Sequence, residues 1–451
     1  MYIAEIEINN LRCFRGKHVI SLDRGNGEYA GWTVFVGRNG SGKSTLLKAV
    51  AAAVAGPLAV RSLMGSVPNW VRVGSKEAKI DLKLAFDPRV DDLDDIVEGS
   101  PAVLRTFQAG LHWKRLERGK NAEHGWSFGR LQHKGKARDL AEQGPWQDVP
   151  SGWFVAGYGP YRRLGPATTE VVKVSADPKL ARLINLFSEG ATLSDAVDWL
   201  REQHARALEG KPGAKALRDE VLALLNDGLL PDGSSAKKVD SDGLWIRRDG
   251  VDIPLTDVSD GYRTVTALVV DLARRLGASY GKLHLTRTQG GLHCPLPGVV
   301  LIDEVDAHLH VEWQQKIGLW LTRHFPKLQF LTTSHSPFIC QSASAKGIVR
   351  LPATGEKKRR IELLAEPLFK AVVNGGADDA VMSELFGLDH AHSARAEALR
   401  RTVAQLELKM LRNTAKPAEE RRYLTLRAEL PDDLGEVADR KLRIVKASGG
   451  A

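Results

Sequence analysis

The residues best suited to chemistry lie in four short strings that follow one another along the chain. They are GRNGSGKS at 37–44, VSDGYR at 258–263, VVLIDEVD at 299–306 and TTSHS at 332–336. The first fits the P-loop pattern G-x-x-x-x-G-K-[ST]. In such a loop, Gly37, Arg38, Asn39, Gly40, Ser41 and Gly42 would wrap backbone N–H groups around phosphates, and the following helix would add its positive end. Lys43 would reach the β- and γ-phosphates, Ser44 would ligand Mg²⁺, and Thr45 would stand beside the α- and β-phosphates. Asp303 and Glu304 end an aliphatic run, where two acids are costly without a purpose. We expect Asp303 to hold the metal shell and Glu304 to orient the attacking water. His335 follows the next apolar run and is placed to sense or stabilise a γ-phosphate. Ser259 and Gly261 head a helix, which is an anion site although the chain's own P-loop already holds phosphates. An ordinary N-cap explains Ser-Asp-Gly alone, but not its pairing with a P-loop. The catalytic candidates are thus Lys43, Ser259, Gly261, Glu304 and His335.

Elements of the right kind flank each string. Residues 33–36 read as a buried strand and 44–53 as a helix, giving strand, loop, helix. Residues 299–302 and 328–333 read as buried parallel strands, separated by an amphipathic helix over 313–325 that Pro326 ends. Val265, Leu268, Val269, Leu272 and Leu276 fall on one face of a helix after VSDGYR. Ile80, Leu82, Leu84 and Phe86 alternate as a half-buried strand. Leu111 and Trp113 on one arm, with Trp126 and Phe128 on the other, continue it as a hairpin in an antiparallel lobe. Residues 180–225 read as helical. No long heptad series separates the P-loop from the signature, so a compact head without a coiled-coil arm is expected. After Pro367 the chain turns Ala-, Arg- and Leu-rich. Seams at Leu399, Val403, Leu406 and Met410, and at Leu434, Ala438, Leu442 and Val445, predict a helical appendage that caps the head or docks another protein.

These strings resemble the Walker A, signature, Walker B, D-loop and switch-histidine motifs of ABC-type ATPases. That resemblance implies two heads sandwiching two ATP molecules, with Ser259 and Gly261 touching the nucleotide of the other subunit and Asp306 at the seam. The opening IEINNLRCF at 6–14 resembles the first strand of the SMC and RecF branch and would place Arg12 near the base or α-phosphate. GYGPYRR at 157–163, SDGYRT at 259–264 and LIDEVDAHLH at 301–310 are similar to compact RecF-like ATPases of prokaryotic immunity. Among these, the ATPase of Septu-type antiphage systems and the virulence-associated ATP-binding proteins are nearest. The likeness covers residues 1 to about 352. It implies ATP and Mg²⁺ as cofactors, an ATP-dependent homodimer or higher oligomer, and a separate HNH-type nuclease as partner. One departure stands out. No glutamine follows the strand expected over 153–156, where ABC proteins carry one against Mg²⁺ and water, so Tyr158 or Arg162 takes its place or hydrolysis is slow.

The expected fold is α/β: an ABC-type head with a mixed sheet around the P-loop, an antiparallel β lobe, a helical subdomain and a helical appendage. The head spans 1–365, divided into 1–175 (P-loop and β lobe), 176–250 (helical subdomain) and 251–365 (signature, Walker B and switch lobe), and 366–451 is helical. With 451 residues the chain exceeds the usual size of one core. Three cysteines without C-x-x-C spacing argue against a disulfide framework or zinc site, and His284, His293, His308 and His310 with Cys294 match no metal spacing. No apolar run suits a membrane span and no signal-peptide pattern opens the chain, so a cytoplasmic, membrane-free protein is expected. A formal charge of +9 favours polyanions. Arg72, Lys76, Lys79, Lys114, Arg115 and Arg118 are the preferred DNA contact, ahead of Lys357, Lys358, Arg359 and Arg360. Too little chain follows the head for a fused Toprim nuclease. The leading expectation is a slow ATPase that dimerises to control an effector nuclease in phage defence, and the alternative is a RecF-like clamp on DNA ends.

Overall fold

The computed structural model describes residues 1–64, 67–91, 104–115, 126–133, 137–148, 150–231, 233–353, 356, 360–383, 385–386, 393–412 and 414–430. Arg118, Lys357, Lys358, Arg359 and the seam from Leu434 to Val445 lie outside these residues, as do the side chains of Arg115 and Trp126. Sixteen strands are described. In chain order they are β1 (Tyr2–Asn9), β2 (Lys17–Ser21), β3 (Gly31–Val36), β4 (Glu77–Phe86), β5 (Arg105–Arg115), β6 (Trp126–Arg130) and β7 (Val155–Tyr158). Then come β8 (Ser235–Asp240), β9 (Gly243–Arg248), β10 (Val251–Pro254), β11 (Thr286–Thr288), β12 (Gly291–His293), β13 (Gly298–Ile302), β14 (Leu328–Ser334), β15 (Ile348–Arg350) and β16 (Glu362–Leu363).

The sheet that matters for function has the order β16-β15-β3-β14-β13-β7, and every pair is parallel except β15 with β16. Its three inner strands β3, β14 and β13 are buried almost end to end, as uninterrupted aliphatic runs demand. Parallel register brings the P-loop after β3, the Asp303-Glu304 pair after β13 and His335 after β14 to one edge of the sheet. Open α/β sheets hold their ligands at that edge.

A second sheet, β2-β1-β4-β5-β6, is antiparallel throughout. The expected hairpin pairs Trp113 with Phe128. Helix Lys43–Ala55 touches both sheets, and Ala49, Val50, Ala51, Ala52 and Ala53 on all its sides are sealed from solvent. A helix that is apolar all round has to be sandwiched, and here the small alanines let two sheets close on it.

The stretch 180–225 is broken into helices Pro178–Ala181, Ile184–Phe187, Ser194–Leu208 and Ala214–Leu225. Its subdomain also holds the β8–β9 hairpin, turned at Asp240 to Gly243. Helix Glu366–Asn374 packs with the first unit, with Val372 buried and the Gly375 carbonyl accepting from Gln341 Nε2 at 3.0 Å. That unit accordingly runs Met1–Ala380, and the second begins at Val381. In the second, helices Ala394–Leu411 and Pro417–Ala428 form an antiparallel pair with Val403 and Leu406 buried and Lys409 bonded to Glu419 at 2.6 Å.

One buried amide stitches the two large sheets together. Gln329 on β14 is fully buried; its Nε2 donates to the Ile3 carbonyl at 2.8 Å, and its Oε1 accepts from the Ile3 N–H at 2.7 Å. Ile3 lies where the β1–β4 register shifts, so the side chain pairs backbone groups that the ladder leaves open. Gln329→Leu keeps the volume and strands both groups. Denaturant unfolding of that variant is expected to show a loss of about 2–5 kcal/mol at unchanged slope.

Candidate nucleotide-binding site

The P-loop leaves β3 and enters helix Lys43–Ala55 through Gly42, whose φ of 99° is left-handed. A Cβ there would stand 2.5 Å from Cys13 Sγ and 2.6 Å from Phe14 Cζ, so both conformation and space require glycine. The Lys43 ammonium is buried under the loop and donates to the carbonyls of Gly37 at 2.8 Å and Arg38 at 3.4 Å. Burial pushes its pKa down, against the pull of Asp303, Glu304 and Asp306. Lys43 thus sits within the field of all three acids at the end of β13.

Asp303 is buried and accepts the Thr333 hydroxyl at 2.6 Å, while the same hydroxyl oxygen accepts the Glu304 N–H at 2.7 Å. Glu304 adopts a left-handed φ of 46°, which turns the chain sharply at the strand end. Arg162 is fully buried. Its guanidinium donates to the carbonyls of Gly159 at 2.7 Å, Asp303 at 2.9 Å and Glu304 at 2.9 Å. Burial lowers its pKa to about 10, with Asp303, Asp306 and Glu304 opposing, so it stays charged at neutral pH.

His335 is exposed after β14. Desolvation and then the charge of Lys43 press its pKa below the usual value, which favours a neutral imidazole. Asp306 projects a buried Oδ1 with no partner among the described residues, and Ser41 Oγ in the P-loop is likewise buried and unpartnered. Ser259 caps helix Asp260–Tyr280 through its backbone, but its exposed hydroxyl makes no capping bond. Gly261 presses on the D-loop: a Cβ there would lie 3.0 Å from the His308 carbonyl. The signature and the D-loop are therefore neighbours.

A cleft of about 250 Å³ adjoins the P-loop, lined by Phe14, His18, Arg72, Gly40, Ser41 and Pro352 among others. Arg12, expected near a base, is not part of its wall. The Arg12 guanidinium lies 4.2 Å over the Trp70 ring and donates to the Asn69 carbonyl at 3.2 Å. Arg72 faces the cleft instead, with Nη1 bonded to the Cys13 carbonyl at 2.8 Å. Of the basic set considered for DNA, Arg72 is half-buried and Lys79 is paired with Glu77 at 3.0 Å. Lys76 and Lys114 remain exposed. Neither residue considered as a stand-in for the absent glutamine is free. Tyr158 is sealed in the core with its hydroxyl donating to Asp271 at 2.9 Å, and Arg162 is committed to carbonyls.

The donor set suits a nucleotide and a hard cation. Orphan amides at the helix start, an ammonium beside the loop, the Ser44 hydroxyl and the Asp303 carboxylate are what a Mg²⁺–phosphate group uses. Among the described residues no group of three or more His, Cys, Asp or Glu gathers as a metal cage. No helix among them is long and apolar enough to cross a membrane.

Comparison with known proteins bears on the same residues. Residues 161–341 match the family model described as "AAA domain, putative AbiEii toxin, Type IV TA system", and residues 1–54 match "AAA ATPase domain". The Septu protein PtuA of Bacillus mycoides (strain KBAB4) is 24% identical over 348 residues, which cover 74% of this chain and 38% of that protein. The "Retron Ec83 probable ATPase" of Escherichia coli is 36% identical over 107 residues, 23% of this chain and 18% of its own length. The chain is thus similar to Septu PtuA along most of its length and to AAA ATPase domains over the two segments that carry the site. The matched segments span well under half the length of these relatives. A solved SMC head bound to the C-terminal winged-helix domain of ScpA is 15% identical, covering 81% of this chain and 98% of that one at a TM-score of 0.43.

Sequence reasoning gave Thr333 no role and offered Arg162 only as a stand-in for the glutamine, whereas both hold the end of β13. The available signal was polarity in the wrong place. Thr332, Thr333 and Ser334 close a strand that is buried at every position, and buried hydroxyls require partners. Thr333→Val removes the hydroxyl that orients Asp303 and pins the Glu304 amide. We expect ATP hydrolysis to fall about 10–100-fold with ATP affinity changed only about threefold, and Thr333→Ser to restore it. Steady-state hydrolysis together with equilibrium nucleotide binding measures both.

Proposed function

We propose that this chain hydrolyses ATP slowly and is the dimerising switch subunit of a prokaryotic antiphage defence complex, where it controls a separate HNH-type effector nuclease. The observation that carries the reading is the half-built character of the site. Lys43 and Ser44 at a helix start, and Asp303, Glu304 and His335 just past their strands, lie at one sheet edge. The Ser259 hydroxyl is exposed and uncommitted, and Asp306 Oδ1 is buried without a partner. A second copy would bring its own γ-phosphate to Ser259 and Gly261, and polar groups of its own D-loop to Asp306.

In this reading the P-loop amides and Lys43 hold the phosphates, and Ser44 and Asp303 hold Mg²⁺, which would neutralise charge developing on the β- and γ-oxygens. Glu304 accepts a proton from the attacking water. His335, neutral beside Lys43, donates to the γ-phosphate. The defence role is supported by similarity to Septu PtuA along most of this chain, and the nuclease is what the resemblance to Septu-type systems implies. Co-purification of an HNH protein encoded beside this gene is the direct check on that part.

Glu304→Gln removes the base and leaves the phosphate-binding groups intact. With saturating ATP its mass by light scattering is expected to double, and it is expected to return to the starting value after Ser259→Arg is added. A Glu304→Gln protein that stays at its nucleotide-free mass across protein concentrations rules out the sandwich. With neither Tyr158 nor Arg162 free to replace the glutamine, the unsubstituted protein should turn over below about 1 per second. Phosphate release at saturating ATP reads that rate directly.

A further inference from the structure

A cavity of about 730 Å³ lies away from the P-loop, between helix Ser194–Leu208 and the C-terminal half of helix Asp260–Tyr280. Its chemistry is carried by Arg182, Trp199, Gln203, Arg206, Arg274 and Arg275. Trp199, Gln203 and Arg206 are spaced four and three apart, so they share one face of their helix.

Charge in this cavity is unbalanced. Arg274 and Arg275 share a single carboxylate, Asp271, and Arg206 has only the exposed Glu202 at 3.6 Å. Arg182 has no carboxylate within ion-pair distance among the described residues; it donates to Ser279 Oγ at 3.1 Å and the Pro178 carbonyl at 3.4 Å. Burial, and then repulsion from Arg275, lower its pKa. Four guanidinium groups thus face two carboxylates, an excess that one phosphate monoester dianion would match.

Two further side chains show that more than a phosphate belongs here. Gln203 is only 7% exposed, yet its amide has no hydrogen-bond partner among the described residues. The amide lies on the cavity wall, where only solvent can pair it, so it is available to a ligand that both donates and accepts. Trp199, half-buried at the cavity wall, has no ring or cation stacked on it among the described residues. An open indole, an amide that can both donate and accept, and an arginine cluster are what a base, its polar edge and its phosphate need. The volume suits a ligand of that size.

We propose that this cavity binds a nucleoside 5′-phosphate group, with the base on Trp199, its edge read by Gln203, and the phosphate held by Arg182 with Arg274. This group could arrive as a free mononucleotide or as the 5′ end of a nucleic acid strand. The site is independent of the dimer-switch reading, because it uses none of the P-loop or signature residues.

The test is equilibrium dialysis of the full chain carrying Lys43→Ala, which disables the P-loop. The probes are AMP, a short 5′-phosphorylated oligothymidylate, its 5′-hydroxyl counterpart and pyrophosphate. One phosphorylated nucleoside probe is expected to bind at one per chain. Arg182→Ala and Trp199→Ala should each weaken it by about tenfold or more, and Trp199→Phe should retain it. Oligothymidylate binding that is tighter than AMP and lost without the 5′-phosphate assigns a strand end, and AMP binding equal or tighter assigns a free nucleotide. The proposal is overturned if neither phosphorylated nucleoside probe binds, if pyrophosphate binds as well as they do, or if Arg182→Ala and Trp199→Ala leave binding unchanged while circular dichroism shows intact folding.

Discussion

The structure depends on holding the end of β13 in a shape it would not adopt alone. Two acids follow one another there, one of them at a left-handed φ that costs a non-glycine residue about 1–2 kcal/mol. A buried guanidinium and a buried hydroxyl fix it. Arg162 grips the carbonyls of Asp303 and Glu304, and Thr333 ties the Asp303 carboxylate to the Glu304 amide. Sealing Arg162 from water costs several kcal/mol unless its donors are used, and three carbonyls within 3 Å use them. Because it remains charged at neutral pH, the clamp also offsets the mutual repulsion of Asp303, Glu304 and Asp306.

That clamp explains why the chain brings together elements so distant in sequence. Arg162 follows β7, Thr333 ends β14, and the acids follow β13, so the parallel pairings β7–β13–β14 are needed for every contact in it. Tyr158 extends the connection, since its carbonyl accepts the Asp303 N–H at 2.8 Å and its hydroxyl bonds Asp271 in helix Asp260–Tyr280. Asp271 is buried. Despite that burial, Arg275 and Arg274 hold its carboxyl below the ordinary range, and the ion pairs make this helix a fixed strut. Ser259 at the other end of the strut is therefore anchored, through one helix, to the strand that carries the acid pair.

What could be read from the sequence was what is local. The P-loop, the acid pair and the β14 run each advertise themselves within ten residues, because phosphate binding and strand burial impose residue types at fixed spacing. The strands around Ile80 and Trp113 were legible from alternation alone. Contacts between residues far apart were not. Arg162 reaches a carbonyl 141 residues away, and Gln329 bonds a backbone 326 residues away. Gln329 stands out as a polar residue in a run read as buried, but nothing near either residue names its distant partner. Arg12 shows the converse: a motif position suggested the nucleotide, but Trp70 offers the guanidinium a ring face and Asn69 a carbonyl, and Arg72 takes the cleft wall. Local pattern names the chemistry, while competition among partners decides which side chain performs it.

The absent glutamine acquires its meaning from the same commitments. The resemblance to ABC-type ATPases would place a glutamine at the lobe boundary, against Mg²⁺ and the attacking water. Here the corresponding turn is occupied by Tyr158, locked to Asp271, and by Arg162, locked to the strand end. Freeing either would strand a buried polar group, at about 1–3 kcal/mol for the tyrosine and more for the charged arginine. The turn after β7 is therefore fixed by buried polar contacts, and neither side chain is left to reach a nucleotide. Where a glutamine would be adjustable, this turn carries a guanidinium committed to the strand end, and that commitment is the structural ground for expecting slow hydrolysis.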